Sequence, residues 1–263
     1  MDTKTIVLQL WSVRDYFQQD YKSTVRKVAE MGYKGVEFAA GYGGMDAREL
    51  KAFLEECGLQ PIGSHVPIND LTGKLSEVIE FHQILGNRYV VCPGIPPNSV
   101  LPLNAKDDYL AICDVFNRIG EECKKNGLLF GYHNHTKEFQ SFDGKVGYDI
   151  LLDGTDPDLV FYEMDTAWVQ AGGYDPLEYC RKYPGRFKLC HIKDYQAQRD
   201  EKGRTVQTEI GKGVMDFRKF IPALKENGCH YLTIEQEQGT KPSIEYVEES
   251  LQNLKRIVKE IGL

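Results

Sequence analysis

The densest group of chemistry-bearing side chains lies in GYHNHTKEF, residues 131–139, where His133, His135 and Glu138 follow the apolar run Leu128-Leu129-Phe130. Two imidazoles and a carboxylate this close suit a metal site, because both types donate lone pairs to a cation. They suit equally a polar loop end with no chemistry. The choice rests on what the rest of the chain brings to the same place.

The elements that would position these residues are legible as one recurring phrase. A helical stretch ends at a glycine and a short apolar strand follows at once: EMGYKGVEF, ECGLQPIGSH, LGNRYVVCPG, KNGLLFGYHN and NGCHYLTIEQE, with looser copies in DGTDPDLVFYEMD and YPGRFKLCH. Glycine after a helix fits a left-handed cap, where a Cβ would be strained. The strands are short, branched or aromatic, and apolar on both faces, as in a buried parallel sheet. Between them, apolar residues keep helical spacing, as in Leu50, Phe53, Leu54 and Cys57, in Ile112, Val115, Phe116, Ile119 and Cys123, and in Phe217, Phe220, Ile221 and Leu224. With TIVLQLW as the first strand, eight strands alternate with helices, which predicts an α/β fold, a (β/α)8 TIM barrel. A doubly wound open sheet fits less well, because no G-x-G-x-x-G turn follows the first strand. No linker divides the chain, so residues 1–263 are expected to form a single barrel domain; GIPPNSVLPLN at 94–104 reads as a long loop after strand four.

Active sites of such barrels form at the C-terminal ends of the strands. There the sequence places Gln9 and Trp11, then Glu37, then His65, and after strand five His133, His135 and Glu138. Strand six ends in Asp165, strand seven in His191 and Lys193, and strand eight in Glu235 and Glu237. Each residue alone fits a structural role. Together, Glu138, Asp165, His191 and Glu235 put a metal-capable group on four consecutive strands. Three carboxylates and an imidazole favour a divalent metal of harder type, Mn²⁺ first, with Mg²⁺, Co²⁺ or Zn²⁺ also compatible.

The totals narrow the partners. The chain has 263 residues, 41% hydrophobic and 27% charged, so a full core is available. A net charge of −7 disfavours nucleic acid and anionic membranes. MDTKTIVLQL lacks the apolar core of a signal peptide, and no apolar run would span a bilayer. Seven scattered cysteines without a C-x-x-C pair read as reduced thiols, and a cytoplasmic protein is expected.

LQLWSVRD, YKGVEF, GYHNHTKEF, EMDTAW, CHIKD and TIEQE, in this order and spacing, resemble the sugar phosphate isomerase/epimerase family with a xylose isomerase-like TIM barrel. That group includes ketose 3-epimerases, inosose dehydratases and keto-glycoside epimerases, and shares its fold with DNA-repair enzymes of the endonuclease IV type. The resemblance runs from Leu8 to Glu237. It implies a divalent metal on Glu138, Asp165, His191 and Glu235, a small-molecule carbohydrate substrate and a homo-oligomer. One departure stands out. Many relatives carry D-x-x-H after strand six, and here the run is Asp165-Thr-Ala-Trp168. A tryptophan cannot bind a further metal, so a trinuclear zinc site and an endonuclease are not expected; its face can stack on a sugar ring.

The chemistry expected is an isomerase or epimerase acting through an enediolate, with Glu138 and Glu235 shuttling a proton. Dehydration of an inosose or keto-glycoside, and a non-catalytic sugar-binding barrel, are the alternatives. Gln9, Trp11, Glu37, His65, His133, His135, Trp168 and Lys193 are expected to bind substrate, unless Lys193 merely pairs with Asp194. Lys212 and Lys241 lie in glycine-bearing loops that could hold a phosphate, although turn glycines explain those loops as well and a neutral sugar is the better expectation.

Overall fold

Eight short strands close into a parallel barrel: β1 (Ile6–Gln9), β2 (Gly35–Phe38), β3 (Gln60–His65), β4 (Tyr89–Cys92), β5 (Leu129–His133), β6 (Val160–Asp165), β7 (Phe187–Ile192) and β8 (Tyr231–Ile234). Each pairs with its neighbour in sequence, and β8 returns to β1 through Ile6↔Leu232 and Leu8↔Ile234. This computed structural model describes residues 5–96, 99 and 102–263. Part of the loop expected at 94–104 therefore lies outside the described residues. Among the described residues no helix is long and apolar enough to cross a membrane.

The helices form where the spacing placed them. The helix Ala47–Cys57 starts in a capping box, with Asp46 Oδ1 accepting from Glu49 N at 2.9 Å and Glu49 Oε2 accepting from Asp46 N at 3.1 Å. It stops at Gly58, whose φ of 68° lies in the left-handed region that a Cβ would strain. Leu50, Phe53 and Leu54 on its inner face are buried against the outside of the barrel. Two hairpins were not legible in the sequence. Ser141–Phe142 pairs with Lys145–Val146, and Asp194–Arg199 pairs with Thr205–Thr208. The first is too short to show a period, and the second is polar along most of its length.

What positions the site is a change of character along the barrel interior. Val7, Ile62, Tyr89, Val91, Phe161 and Leu189 form an apolar plug within the barrel. Toward the C-terminal ends, inward positions turn polar: Gln9, Glu37, His133, Glu163, Asp165, His191 and Glu235 are all buried. The ladder aligns them in register, with Gln9↔Glu37, His133↔Glu163 and Asp165↔His191. Two glycines make room between these layers. A Cβ on Gly131 would lie 2.5 Å from the Phe161 ring, and one on Gly63 would lie 2.6 Å from Glu37 Oε1.

Candidate metal and substrate site

The polar layer is a continuous network built on β1–β3 and β5–β8. His191 is its hub: Nε2 lies 2.6 Å from Glu37 Oε2, and Nδ1 lies 2.7 Å from Glu235 Oε2. Gln9 Nε2 donates to the same Glu37 oxygen at 3.0 Å. Glu163 Oε2 gathers His65 Nε2 at 2.7 Å, His133 Nδ1 at 3.1 Å and His191 Nε2 at 3.2 Å. Lys193 Nζ, on the segment just past β7, reaches Asp165 Oδ2 at 3.1 Å, Glu235 Oε2 at 2.7 Å and Glu237 Oε1 at 2.6 Å. Asp165 also caps the helix Thr166–Ala171, accepting from Trp168 N at 3.0 Å through Oδ1.

Burial and charge set the protonation states. Burial opposes ionisation of Glu235, yet Lys193 and His191 outweigh it and hold the carboxyl well below its ordinary range. Glu163 is likewise held well below that range against burial, by His191 and His65. Burial also opposes charge on Lys193, and Asp165, Glu235 and Glu237 overcome it, so the ammonium stays protonated. Burial and the neighbouring Glu163 push Glu37 up to about 7. Burial works against protonation of His65, but Glu37 and Glu163 prevail and raise it. His133 is driven well below its ordinary value by burial and by His191, and is neutral.

Two overlapping groups converge closely enough to share a cation. His133, Asp165, His191 and Glu235 form one, and His65, His133, Glu163 and His191 the other; in each, one donor atom per residue lies within 4.8 Å of the rest. Glu37 Oε1, Glu163 Oε1 and Asp165 Oδ2 are buried without a hydrogen-bond partner among the described residues, although Asp165 Oδ2 has ion-pair contacts with Lys193 Nζ at 3.1 Å and His133 Nε2 at 3.9 Å. Unpaired buried carboxylate oxygens are costly. A divalent cation would offset that cost, so the donor set fits one.

Above the network a cavity of about 480 Å³ opens at the barrel mouth, lined by Trp11, His65, His133, His135, Glu235 and Glu237 among others. A second, of about 560 Å³, adjoins it and is bordered by Trp168. Arg14 lies over the Trp11 ring, and Lys193 over that of Trp168, at 4.8 and 5.1 Å from the ring centroids. Gln9, Glu37 and Lys193 line neither cavity; they lie behind it, Gln9 holding Glu37, Glu37 holding His191 and Lys193 holding Glu235.

Glu138 is the correction. Its Oε1 accepts from Tyr132 Oη at 2.5 Å and its Oε2 from His135 N at 2.8 Å, and it belongs to neither group. Tyr132 faces away from the barrel axis, its ring packing on Phe116 of the helix Lys106–Lys125, and takes Glu138 with it. The β5 contribution to the cluster is His133, on the inward face, so His133 is a candidate ligand instead of a substrate contact. The residue the sequence reading left out is Glu163. Its signal was parity, since it lies two positions before Asp165 on β6 and so on the same face.

Lys193 does not pair with Asp194. Asp194 Oδ2 accepts from Gly211 N and Gly213 N, both at 2.9 Å, and Oδ1 from Met215 N at 3.1 Å. Those backbone donors are thus occupied by the chain's own carboxylate. Lys212 pairs with Glu249, and Lys241 with Glu249 and Glu209, so neither is a free phosphate contact.

The barrel and its charged rim define a class, and comparison with known proteins agrees. A family model described as xylose isomerase-like TIM barrel matches residues 25–257, and the chain belongs to that family of carbohydrate-related enzymes. It is 25% identical over 248 residues to an inosose dehydratase of Lacticaseibacillus casei, covering 83% of this chain and 82% of that protein. A solved sugar phosphate isomerase/epimerase from Parabacteroides distasonis superposes with a TM-score of 0.81 at 27% identity, covering 97% of this chain and 94% of that one. The solved IolI protein, described with a binding zinc atom, superposes with a TM-score of 0.76 over 98% of this chain and 99% of that one; at 15% identity this is a likeness of fold.

Proposed function

We propose that the protein is a divalent-cation-dependent lyase that removes water from a polyhydroxy ketone of the inosose or keto-glycoside class. The observation that carries this reading is the placement of Glu235. It lines the cavity, its Oε2 is anchored by His191 and Lys193, and its Oε1 makes no hydrogen bond among the described residues.

His133, Asp165, His191 and Glu235 would hold the cation. When bound, it supplies Lewis acidity toward a carbonyl oxygen. Two nitrogens and two oxygens admit Mn²⁺, Co²⁺ or Zn²⁺ ahead of Mg²⁺. His133 and His191 belong to both donor groups, and a neutral imidazole has one lone pair to give, so the two positions accept one cation at a time. Glu235 Oε1 takes the proton from the carbon beside the carbonyl. His65, on the cavity wall and favoured in its protonated form by Glu37 and Glu163, carries a proton for the departing hydroxyl. Each transfer is worth about 10²–10⁴ in rate. Lys193 keeps Glu235 ionised and fixes its orientation.

Epimerisation by Glu138 and Glu235 is disfavoured by the position of Glu138, which bonds Tyr132 Oη and His135 N and lines neither cavity. Elimination needs one base and one acid, which the cavity wall provides, and the inosose dehydratases among the relatives agree in reaction class. The test is to incubate the Mn²⁺-loaded protein with an inosose in deuterated water and follow the mixture by mass spectrometry and ultraviolet absorbance. Loss of one water with growth of an enone band supports the reading. Deuterium entering the substrate without loss of water would make the protein an epimerase or isomerase instead.

A further inference from the structure

Two chambers share the barrel mouth, and they differ in chemistry. The one over the charged network carries Glu235, Glu237 and three histidines. The other, of about 560 Å³, is walled by Pro67, Ile68, Pro93, Ile95, Pro96 and Trp168. Its one charged wall residue among the described residues, Lys137, donates its ammonium to Ile95 O. Pro67, Pro93 and His135 belong to both chambers, so the two adjoin. His135 and Trp168 present near-parallel rings, with centroids 6.1 Å apart and planes inclined by 30°.

A bare polyol ring leaves the second chamber unused. Its hydroxyls gain nothing from proline, isoleucine and indole, and apolar walls left in water forfeit the free energy their burial would supply. A flat apolar group linked to the sugar would fill the chamber and stack on Trp168. We propose that the substrate is a two-part molecule, a polyhydroxy ketone bearing an aromatic substituent, with the ketone over the charged network and the aromatic ring in the Trp168 chamber. This names the substrate class for the reaction proposed above and rests on that reading for the ketone half alone.

Equilibrium binding separates the two claims, because it needs no turnover. Phenyl β-glucoside and methyl β-glucoside are titrated into the Mn²⁺-loaded protein by calorimetry. Burial of the ring should make the phenyl compound bind about 10- to 100-fold more tightly. Trp168→Ala should bring the ratio of the two dissociation constants close to one, and Ile95→Ser, on the chamber wall, should reduce it in the same direction. Glu235→Gln, which removes the proposed base, should retain the preference. Equal affinity of the two glucosides for the wild-type protein would overturn the proposal, as would a preference untouched by both chamber substitutions. A phenyl preference in a protein that never eliminates water from a keto-polyol would sustain the two-part ligand and overturn only the reaction.

Discussion

His191 lies between two carboxylates, with Glu37 Oε2 2.6 Å from its Nε2 and Glu235 Oε2 2.7 Å from its Nδ1. Burial opposes charge on His191, yet the surrounding Glu163, Glu37 and Glu235 outweigh it and hold the imidazole protonated, well above its ordinary range. When the Nδ1 proton gives way to a cation, Nε2–H stays on Glu37 and the Nδ1 lone pair faces the side where Asp165 and Glu235 converge. Glu37 therefore selects the tautomer that can ligate there. Glu37→Gln should weaken divalent-cation affinity by about 10- to 100-fold. Calorimetric titration of the metal-free variant checks this, and wild-type affinity would remove Glu37 from the account.

Glu138→Gln separates the structural role of Glu138 from the catalytic one. An amide has one acceptor oxygen where the carboxylate has two, so either the Tyr132 hydroxyl or the His135 N–H loses its acceptor, and stability should fall by about 1–3 kcal/mol. Cation affinity should stay at the wild-type level. A denaturation curve with a metal titration on the same preparation reads both, and a lost metal site with an unchanged fold would reinstate Glu138 as a ligand.

Gly63 tests the spacing of the network from the opposite wall. Its Cβ would lie 2.6 Å from Glu37 Oε1, so Gly63→Ala must displace that carboxylate. Cation affinity should drop in the same direction as in Glu37→Gln, while the apolar plug below is untouched. Identical metal titrations for Gly63→Ala and wild type would show that Glu37 can move without consequence.

A pH effect on stability is expected from His82, away from the site. Its Nδ1 donates to Val78 O at 2.6 Å, its Nε2 is buried without a partner among the described residues, and burial lowers its pKa from the ordinary 6.5. The unfolded chain takes up this proton near pH 6.5, and the folded chain only at lower pH. Above 6.5 both are neutral and the residue adds no pH dependence. As pH falls below 6.5 toward the folded value, protonation favours the unfolded state and stability declines. Subtracting the Tm–pH curve of His82→Gln from that of wild type should expose this decline between about pH 7 and 5; parallel curves would count against it.

The fold was legible because its repeating unit is local. A capped helix, a left-handed glycine and a short apolar strand are each written within a dozen residues, as at Asp46, Gly58 and Ile62. Asp165, His191 and Glu235 were legible for a related reason, since they end strands whose direction is fixed by closure. Glu138 was misplaced because a 3₁₀ turn at Thr136–Phe139 follows β5, and strand parity does not extend through it. Proximity to His133 in sequence then placed it on the wrong side of the strand. Glu163 was passed over because it lies within the apolar run VFYEM, where a buried carboxylate makes sense only once three histidines from other strands surround it. Likewise, the apolar chamber beside Trp168 is assembled from the segments following β3, β4, β5 and β6, and no one of them shows it.

The central claim is that the carboxylates and imidazoles ending β5 to β8 hold a divalent cation. It is tested most directly by stripping the protein with chelator and titrating Mn²⁺ and Zn²⁺ while recording binding heat and Tm. Saturable binding and a rise in Tm are expected, with stabilisation of about 2.7 kcal/mol at one hundred times Kd. Both should be sharply reduced in Asp165→Asn. No binding heat and an unchanged Tm with either ion would contradict it.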